Sequence, residues 1–294
     1  MNKTPEPIPD TYPPIIELFG GAEIKIPVNS EYSEPGYDAY DIGGDFELTI
    51  DGSVDSNTIG DYTIVYKAID NSGNETSVSR VVHVMQPTGY IYLTFDDGPS
   101  EHTGRLLDVL NKYNVKVTFF VTGYGDDALI KREYDEGHSI ALHTNTHNYS
   151  YIYSSVDNYF ADLSAVSERV RRITGFESKL LRFPGGSSNL VSRRYDGHQR
   201  IMSKLVSEVT ARGYTFFDWN VDSNDAGGAA SSDEVYNNVI SRLKVGGDSV
   251  VLQHDVKGFS VDAVERIIQY SIENNYVFKK LDSTSFDAHH GVNN

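Results

Sequence analysis

Five short polar clusters along the chain carry side chains able to do chemistry. The first, Thr94-Phe95-Asp96-Asp97-Gly98-Pro99-Ser100, sets two carboxylates side by side. Adjacent side chains at a strand end point in different directions. One aspartate can therefore bind a cation while its neighbour accepts a proton, although this stretch alone also reads as a solvated turn. The second cluster, His143-Thr144-Asn145-Thr146-His147, spaces two imidazoles at i and i+4. On a helical turn that spacing puts both rings on one side, able to share a cation. With a carboxylate from another strand end they complete the two-histidine, one-carboxylate set of an open catalytic metal site. His138, in the strand before them, reads as structural rather than ligating.

The third cluster is Arg182-Phe183-Pro184-Gly185-Gly186-Ser187. An arginine there can orient a carboxylate bidentately, and a Gly-Gly turn exposes N–H groups suited to a developing oxyanion. The fourth, Asp218-Trp219-Asn220-Val221-Asp222-Ser223-Asn224-Asp225-Ala226, carries the single tryptophan and three carboxylates. The fifth, Leu252-Gln253-His254-Asp255, offers a histidine as general acid. No Gly-x-Ser-x-Gly elbow is present, so no serine nucleophile is implied.

These clusters need elements to hold them, and the chain supplies two grammars. Residues 1–14 hold five of the ten prolines and read as an extended tether. From 15 to 86, short β-rich runs (Ile15–Phe19, Glu23–Val28, Phe46–Ile50, Tyr62–Ile69, Ser77–Val84) alternate with turn residues, which predicts a small β-sandwich. Its Asp70-Asn71-Ser72-Gly73-Asn74 stretch reads as ordinary hairpin-turn chemistry, with a calcium loop as the alternative. After Gln86-Pro87-Thr88-Gly89 strands and helices alternate. Strands are expected at Tyr90–Phe95, Lys116–Val121, His138–Leu142, Lys179–Phe183, Tyr214–Phe217 and Ser249–Gln253. Helical periods fall at 102–113, 157–174, 198–212, 233–244 and 260–274, clearest in Tyr159, Leu163, Val166, Val170 and Ile173. Alternating β and α implies a parallel sheet, closed or nearly so, with function at the strand C-terminal ends. Every cluster lies at such an end. The last residues, 283–294, read as a flexible tail.

In this order the five clusters resemble the polysaccharide deacetylases, the NodB-homology domains of carbohydrate esterase family four, across 88–282. The matching motifs are Thr94–Gly98, His143–His147, Arg182–Pro184, Asp222–Asp225 and Leu252–His254. The resemblance implies a deformed (β/α) barrel and metal-dependent hydrolysis of N-acetyl, sometimes O-acetyl, groups on β-1,4-linked sugars. By position Asp97, His143 and His147 match the family's metal ligands, Asp96 its base and His254 its acid. Arg182 matches the partner of the base and Asp225 the residue that tunes the acid. Gly185 is expected to lend its N–H to the oxyanion, with Trp219 and Leu252 against the substrate. Two departures affect the groove wall: Gly185 stands where relatives often have tyrosine, and Ala226 where they usually have tryptophan. The segment 15–86 resembles bacterial Ig-like domains of Gram-positive surface proteins through Tyr62–Asp70 and the turn and strand Val78–Val84 that follow. It implies a spacer or a glycan-binding module.

Composition narrows the partners. Over 294 residues, 25 basic and 42 acidic side chains give a net charge of −17, which argues against a phosphate backbone as partner and disfavours anionic lipid. Residues 1–87 carry 4 basic and 15 acidic residues, a net of −11. There is no cysteine, hence no disulfide and no thiolate chemistry. No apolar run reaches a membrane span. Secretion or display at the cell wall is expected, with signal or anchor outside this chain, and no obligate protein partner is evident. The expected cofactor is a divalent cation: zinc first, with Co2+, Ni2+ or Mn2+ sharing the donor set. The expected reaction is N-deacetylation of N-acetylglucosamine polymers, peptidoglycan foremost. The alternatives are a chitooligosaccharide deacetylase, an acetylxylan esterase, or a glycan-binding surface protein with a decayed esterase domain.

Overall fold

The computed structural model describes residues 10–292. Most of the proline-rich tether, and the last two residues of the tail, lie outside them. The chain divides after Pro87 into two compact units.

The first unit is all β. Strands β1 (Ile15–Leu18) and β3 (Tyr37–Tyr40) pair antiparallel. A second sheet runs in the order β2 (Glu23–Pro27), β6 (Glu75–Met85), β5 (Gly60–Asp70), β4 (Phe46–Asp51). In β5 the residues Ile64, Tyr66 and Ala68 alternate inward, as a half-buried strand requires. They meet Ile16, with Leu18, Tyr37, Leu48 and Val78 around them, and form the core between the two sheets. The Asp70–Asn74 turn is held by the Asp70 carboxylate, which accepts from the Ser72 and Asn74 N–H groups at 2.8 Å each. Strand β3 escapes the sequence pattern because Tyr37-Asp38-Ala39-Tyr40 is short and only half-buried.

The second unit is a curled sheet of eight parallel strands wrapped by helices. β7 (Gly89–Asp96) is central, flanked by β8 (Thr118–Val121), β13 (Asp248–His254) and, at its start, β14 (Tyr276–Phe278). β9 (Ser139–Leu142), β10 (Leu180–Leu181) and β11 (Thr215–Phe216) extend one side, and β12 (Val221–Asp222) ends the other. The expected strand at each polar cluster is present, several shorter than anticipated. The ladder is not closed: β11 and β12 are edges. The chain crosses this seam in the residues between them. Phe217 N–H still bonds Leu181 of β10 at 2.9 Å, while Asn220 N–H bonds Val250 of β13 at 3.1 Å. Asp218 and Trp219 thus sit on the seam itself.

Tyr92, Phe120, Ala141, Phe217, Val250 and Leu281 form a core on one face of this sheet. A larger core packs the helices, among them α1 (Thr103–Lys112), α4 (Val156–Thr174), α5 (Ile201–Ala211), α6 (Ser232–Ile240) and α7 (Gly258–Glu273), against strand residues such as Leu93, Phe95 and Leu142. Each large side chain so buried contributes roughly 1.5–3 kcal/mol. α4 starts at Ser155, whose hydroxyl accepts from Asn158 N–H at 3.1 Å, and stops at Gly175, whose φ of 75° suits glycine. Two further helices, α2 (Asp127–Asp135) and α3 (Tyr149–Ile152), fall outside the expected helical periods. Residues near the C-terminus pack on the seam: Ala288 is buried, its carbonyl accepts from Asp218 N–H at 2.8 Å, and the His289 ring stacks on Phe216 at 3.7 Å. Among the described residues no helix is long and apolar enough to cross a membrane.

Candidate active site

Asp96 and Asp97 diverge at the end of β7 because Asp97 takes a left-handed backbone, φ 74°. Asp97 Oδ1 lies 3.6 Å from His143 Nε2 and 3.5 Å from His147 Nε2. The imidazoles do not meet across a helical turn, as their spacing suggested. Residues 143–148 form a loop in which Thr144 (φ 68°) and His147 (φ 50°) reverse the chain. Asp162, on the buried face of α4, holds that loop. Its carboxylate accepts from the N–H groups of Asn145 (2.6 Å) and Thr146 (3.0 Å) and from the Thr146 hydroxyl (2.7 Å).

This trio suits a cation. His143 Nδ1 lies 2.9 Å from the Arg182 carbonyl, which can only accept, so Nδ1 carries the proton and Nε2 presents a lone pair. Burial lowers the His143 pKa against the pull of Asp96 and Asp97, which keeps the ring neutral. Asp97 Oδ1 is buried without a hydrogen-bond partner among the described residues. Two imidazole nitrogens and an orphaned carboxylate oxygen, all within 4.8 Å, match the donor set of a metal site built from two histidines and one carboxylate.

Asp96 faces the other way. Its Oδ1 accepts from Arg182 Nη1 at 2.7 Å, and its Oδ2 is 3.7 Å from His143 Nε2. The expected bidentate pairing does not occur. Arg182, fully buried, spends its remaining donors on Thr94 Oγ1 (2.8 Å), the Phe217 carbonyl (3.0 Å) and the Asp218 carbonyl (2.8 Å), and its guanidinium lies 4.1 Å from the Phe120 ring centre. One fork arm fixes the carboxylate while the others tie it to the seam.

His254 ends β13 in register with Asp96. Asp225 accepts from its Nδ1 and from its backbone N–H, both at 2.7 Å. Burial works against protonation of the imidazole, but the Asp225 carboxylate outweighs it, with Asp96 and Asp97 adding to the effect, and the pKa rises to about 9. The ring is therefore an imidazolium at neutral pH. Behind it the buried Asp255 carboxylate packs against Gly98, where any Cβ would collide with it, and bonds the Thr103 hydroxyl. This close approach accounts for the glycine in the first cluster.

A cleft of about 370 Å³ joins these groups, lined further by Tyr149, Gly185, Trp219, Asp222, Asn224, Ala226 and Leu252. Gly185 (φ 77°) and Gly186 (φ 79°) both need left-handed backbones, and the Gly185 N–H makes no hydrogen bond among the described residues. A Cβ on Gly185 would stand 3.2 Å from the Tyr149 hydroxyl, and one on Gly186 3.1 Å from the Trp219 ring. The Tyr149 ring thus stands at the wall beside Gly185, and the Trp219 ring packs on the neighbouring Gly186. The turn is clamped by Asp218, whose buried carboxylate accepts from Ser187 N–H (2.7 Å), Ser187 Oγ (2.5 Å) and His290 N–H (2.8 Å).

Sequence reasoning missed three residues here. Asp218 was visible only as a carboxylate in a polar cluster. Asp162 gave a signal, an acid three residues from Tyr159 on an apolar helix face. Tyr149 gave none, since one tyrosine among 20 says nothing of its neighbours. His138 is structural: it is buried, its Nδ1 accepts from Val117 N–H at 3.2 Å, and burial depresses its pKa to about 4.

A curled parallel sheet whose strand ends gather an anchored carboxylate, an Asp-His-His cluster and an aspartate-backed imidazolium belongs to a hydrolase. The polysaccharide deacetylase family profile matches residues 83–198, and that of the bacterial surface protein Ig-like domain residues 16–84. The solved catalytic domain of a peptidoglycan N-acetylglucosamine deacetylase from Eubacterium rectale is 48% identical with a TM-score of 0.68, covering 70% of this chain and 94% of that one. A peptidoglycan N-acetylglucosamine deacetylase of Bacillus cereus is 31% identical over 66% of this chain and 70% of its own length. The peptidoglycan N-acetylmuramic acid deacetylase of Bacillus subtilis is 32% identical over 67% and 72% respectively. The chain belongs to the polysaccharide deacetylase family, with a bacterial Ig-like domain before the catalytic one.

Proposed function

We infer that the protein removes N-acetyl groups from N-acetylglucosamine in peptidoglycan, at the cell surface, with a divalent cation held by Asp97, His143 and His147. The observation that carries this reading is the division of labour around one cleft. Asp96, anchored by Arg182, and the His254–Asp225 pair stand as separate groups beside an Asp-His-His cluster. The names of the relatives support the substrate, and the Ig-like profile supports the location.

A cation on that cluster, zinc foremost with Co2+, Ni2+ or Mn2+ as alternatives, would supply Lewis acidity toward the acetyl carbonyl and lower the pKa of water. Asp96 takes a proton from water as its oxygen attacks the carbonyl carbon. Arg182 keeps that carboxylate aimed rather than free to rotate. The oxyanion of the tetrahedral intermediate accepts from the Gly185 N–H, a preorganised donor worth about 3 kcal/mol. His254 then gives its proton to the departing amine, leaving glucosamine and acetate. Asp225 stabilises the charged ring before that transfer. Trp219, Tyr149 and Leu252 offer apolar surface to sugar faces.

Acetate release measured in parallel on peptidoglycan, chitopentaose and acetylated xylan tests the reading. We expect peptidoglycan to give the highest kcat/KM, with free amines appearing on its glucosamine residues. A preference for chitopentaose would reassign the substrate, and release from xylan alone would make the protein an O-acetyl esterase.

A further inference from the structure

Three carboxylates of the Ig-like unit, remote in sequence, converge in space. Asp10 precedes β1, Asp41 follows β3 and Asp70 ends β5, and one oxygen of each lies within 4.8 Å of the others. Asp70 has an ordinary reason for its place, the turn it holds. Asp41 has none: both its carboxylate oxygens are closed off from solvent, and neither accepts a hydrogen bond among the described residues. A carboxylate withdrawn from water in that way needs a counter-charge. The unit has few to give. Of its four basic residues, Lys67 pairs with Glu75 and Arg80 with Glu34, and no ion pair among the described residues reaches Asp10, Asp41 or Asp70. Gly43 adds a second sign of a built site. The Asp10 carboxylate lies so close to its Cα that any side chain there would collide with it.

We propose that Asp10, Asp41 and Asp70 form a calcium site that ties the segment before β1 to the β3–β4 loop and the β5–β6 turn. All three donors are carboxylate oxygens, with no imidazole, which selects a hard cation and sets this site apart from the Asp-His-His cluster of the catalytic unit. Asp70 has lone pairs to spare beyond the bonds from Ser72 and Asn74. Calcium tolerates irregular sites completed by water, whereas magnesium demands near-octahedral geometry. The proposal stands independently of the deacetylase reading.

The test is calorimetric titration of Ca2+ into the 294-residue chain, zinc-loaded beforehand, with thermal unfolding in the presence and absence of the ion. We expect one Ca2+ per chain, a Kd of about 0.1–1 mM as in extracellular modules, and a rise of several degrees in one unfolding transition. Mg2+ at equal concentration should give a much smaller rise. Asp41→Asn should weaken calcium binding at least tenfold while leaving zinc content and acetate release unchanged. Without calcium that variant should melt no lower than the parent, because it lacks the uncompensated charge. Asp10→Asn serves the same purpose should Asp41→Asn fail to fold. No calcium heat up to 10 mM, an undiminished response in the folded variant, or an equal response to Mg2+ would overturn the calcium site.

Discussion

At His254 burial opposes the charged form and Asp225 more than offsets it, so the acid the mechanism needs is present at neutral pH. The sign of the pH dependence follows. A raised pKa keeps the proton on until pH passes it, so activity should hold through neutrality and fall as pH rises through about 9. Asp225→Asn removes the main support and should move that alkaline limb downward, at up to about tenfold in rate per unit above the new pKa. A pH profile of kcat/KM for acetate release checks it. An unshifted limb would mean that His254 is not the acid. The adjacent aspartates should also separate. Asp96→Asn should keep the bound metal and lose about 100-fold or more in kcat, since an amide cannot take the proton. Asp97→Ala should lose the metal as well. Metal analysis beside activity distinguishes the two, and stripping of the metal by Asp96→Asn would exchange their roles.

Two loops carry the site, and each hangs from one buried carboxylate. Asp162 reaches from α4 to hold the reversal between His143 and His147. Asp162→Ala leaves two amides and a hydroxyl without their acceptor, and we expect a metal affinity about 10–100-fold weaker, read by competition with a chelator. Asp218 does the same for the Gly-Gly-Ser turn, through Ser187, and joins it to the chain near the C-terminus through His290. It is a positioning residue: its carboxylate touches neither the Asp-His-His cluster nor His254. Asp218→Asn replaces one acceptor with a donor and should lower kcat with KM and metal content little changed, because the Gly185 amide matters most when the oxyanion forms. A uniform fall in stability and metal content, with residual activity proportional to folded protein, would assign Asp218 a structural role only.

At the scale of the molecule the two units have separate cores and divide after Pro87. Every proposed site residue of the deacetylase reading belongs to the second unit, and the Eubacterium rectale relative was solved as a catalytic domain alone. Removal of residues 1–87 should therefore leave kcat/KM on soluble chito-oligomers within about twofold, since binding elements remote from a small substrate add nothing to its transition state. Turnover of intact cell wall should fall if the Ig-like unit locates the enzyme there. Sedimentation of each form with purified wall measures that contribution directly. A large loss on the soluble substrate would show that the first unit takes part in the reaction.

Much of this was legible along the chain because its signals are local. The β–α alternation, the apolar period of α4 and the polar clusters at strand ends are each set by short stretches, the range over which backbone geometry imposes a period. The ligand types followed from composition in the same way, with adjacent aspartates and paired histidines in a chain without cysteine. What lay beyond reach depends on neighbours brought from elsewhere. Arg182 meets Asp96 across 86 positions and Asp225 meets His254 across 29, distances that only strand register can close. β12 is two residues long, too short for any periodicity. The histidine pair is joined by left-handed residues where the spacing suggested a helix. Tyr149 supplies a groove wall beside Gly185 from an element that no local pattern relates to that turn. The residue types thus determined which chemistry was available. The curl of the sheet, its seam and the buried carboxylates that hold its loops decided which atoms came within reach, because contacts are fixed by folding and not by order in the chain.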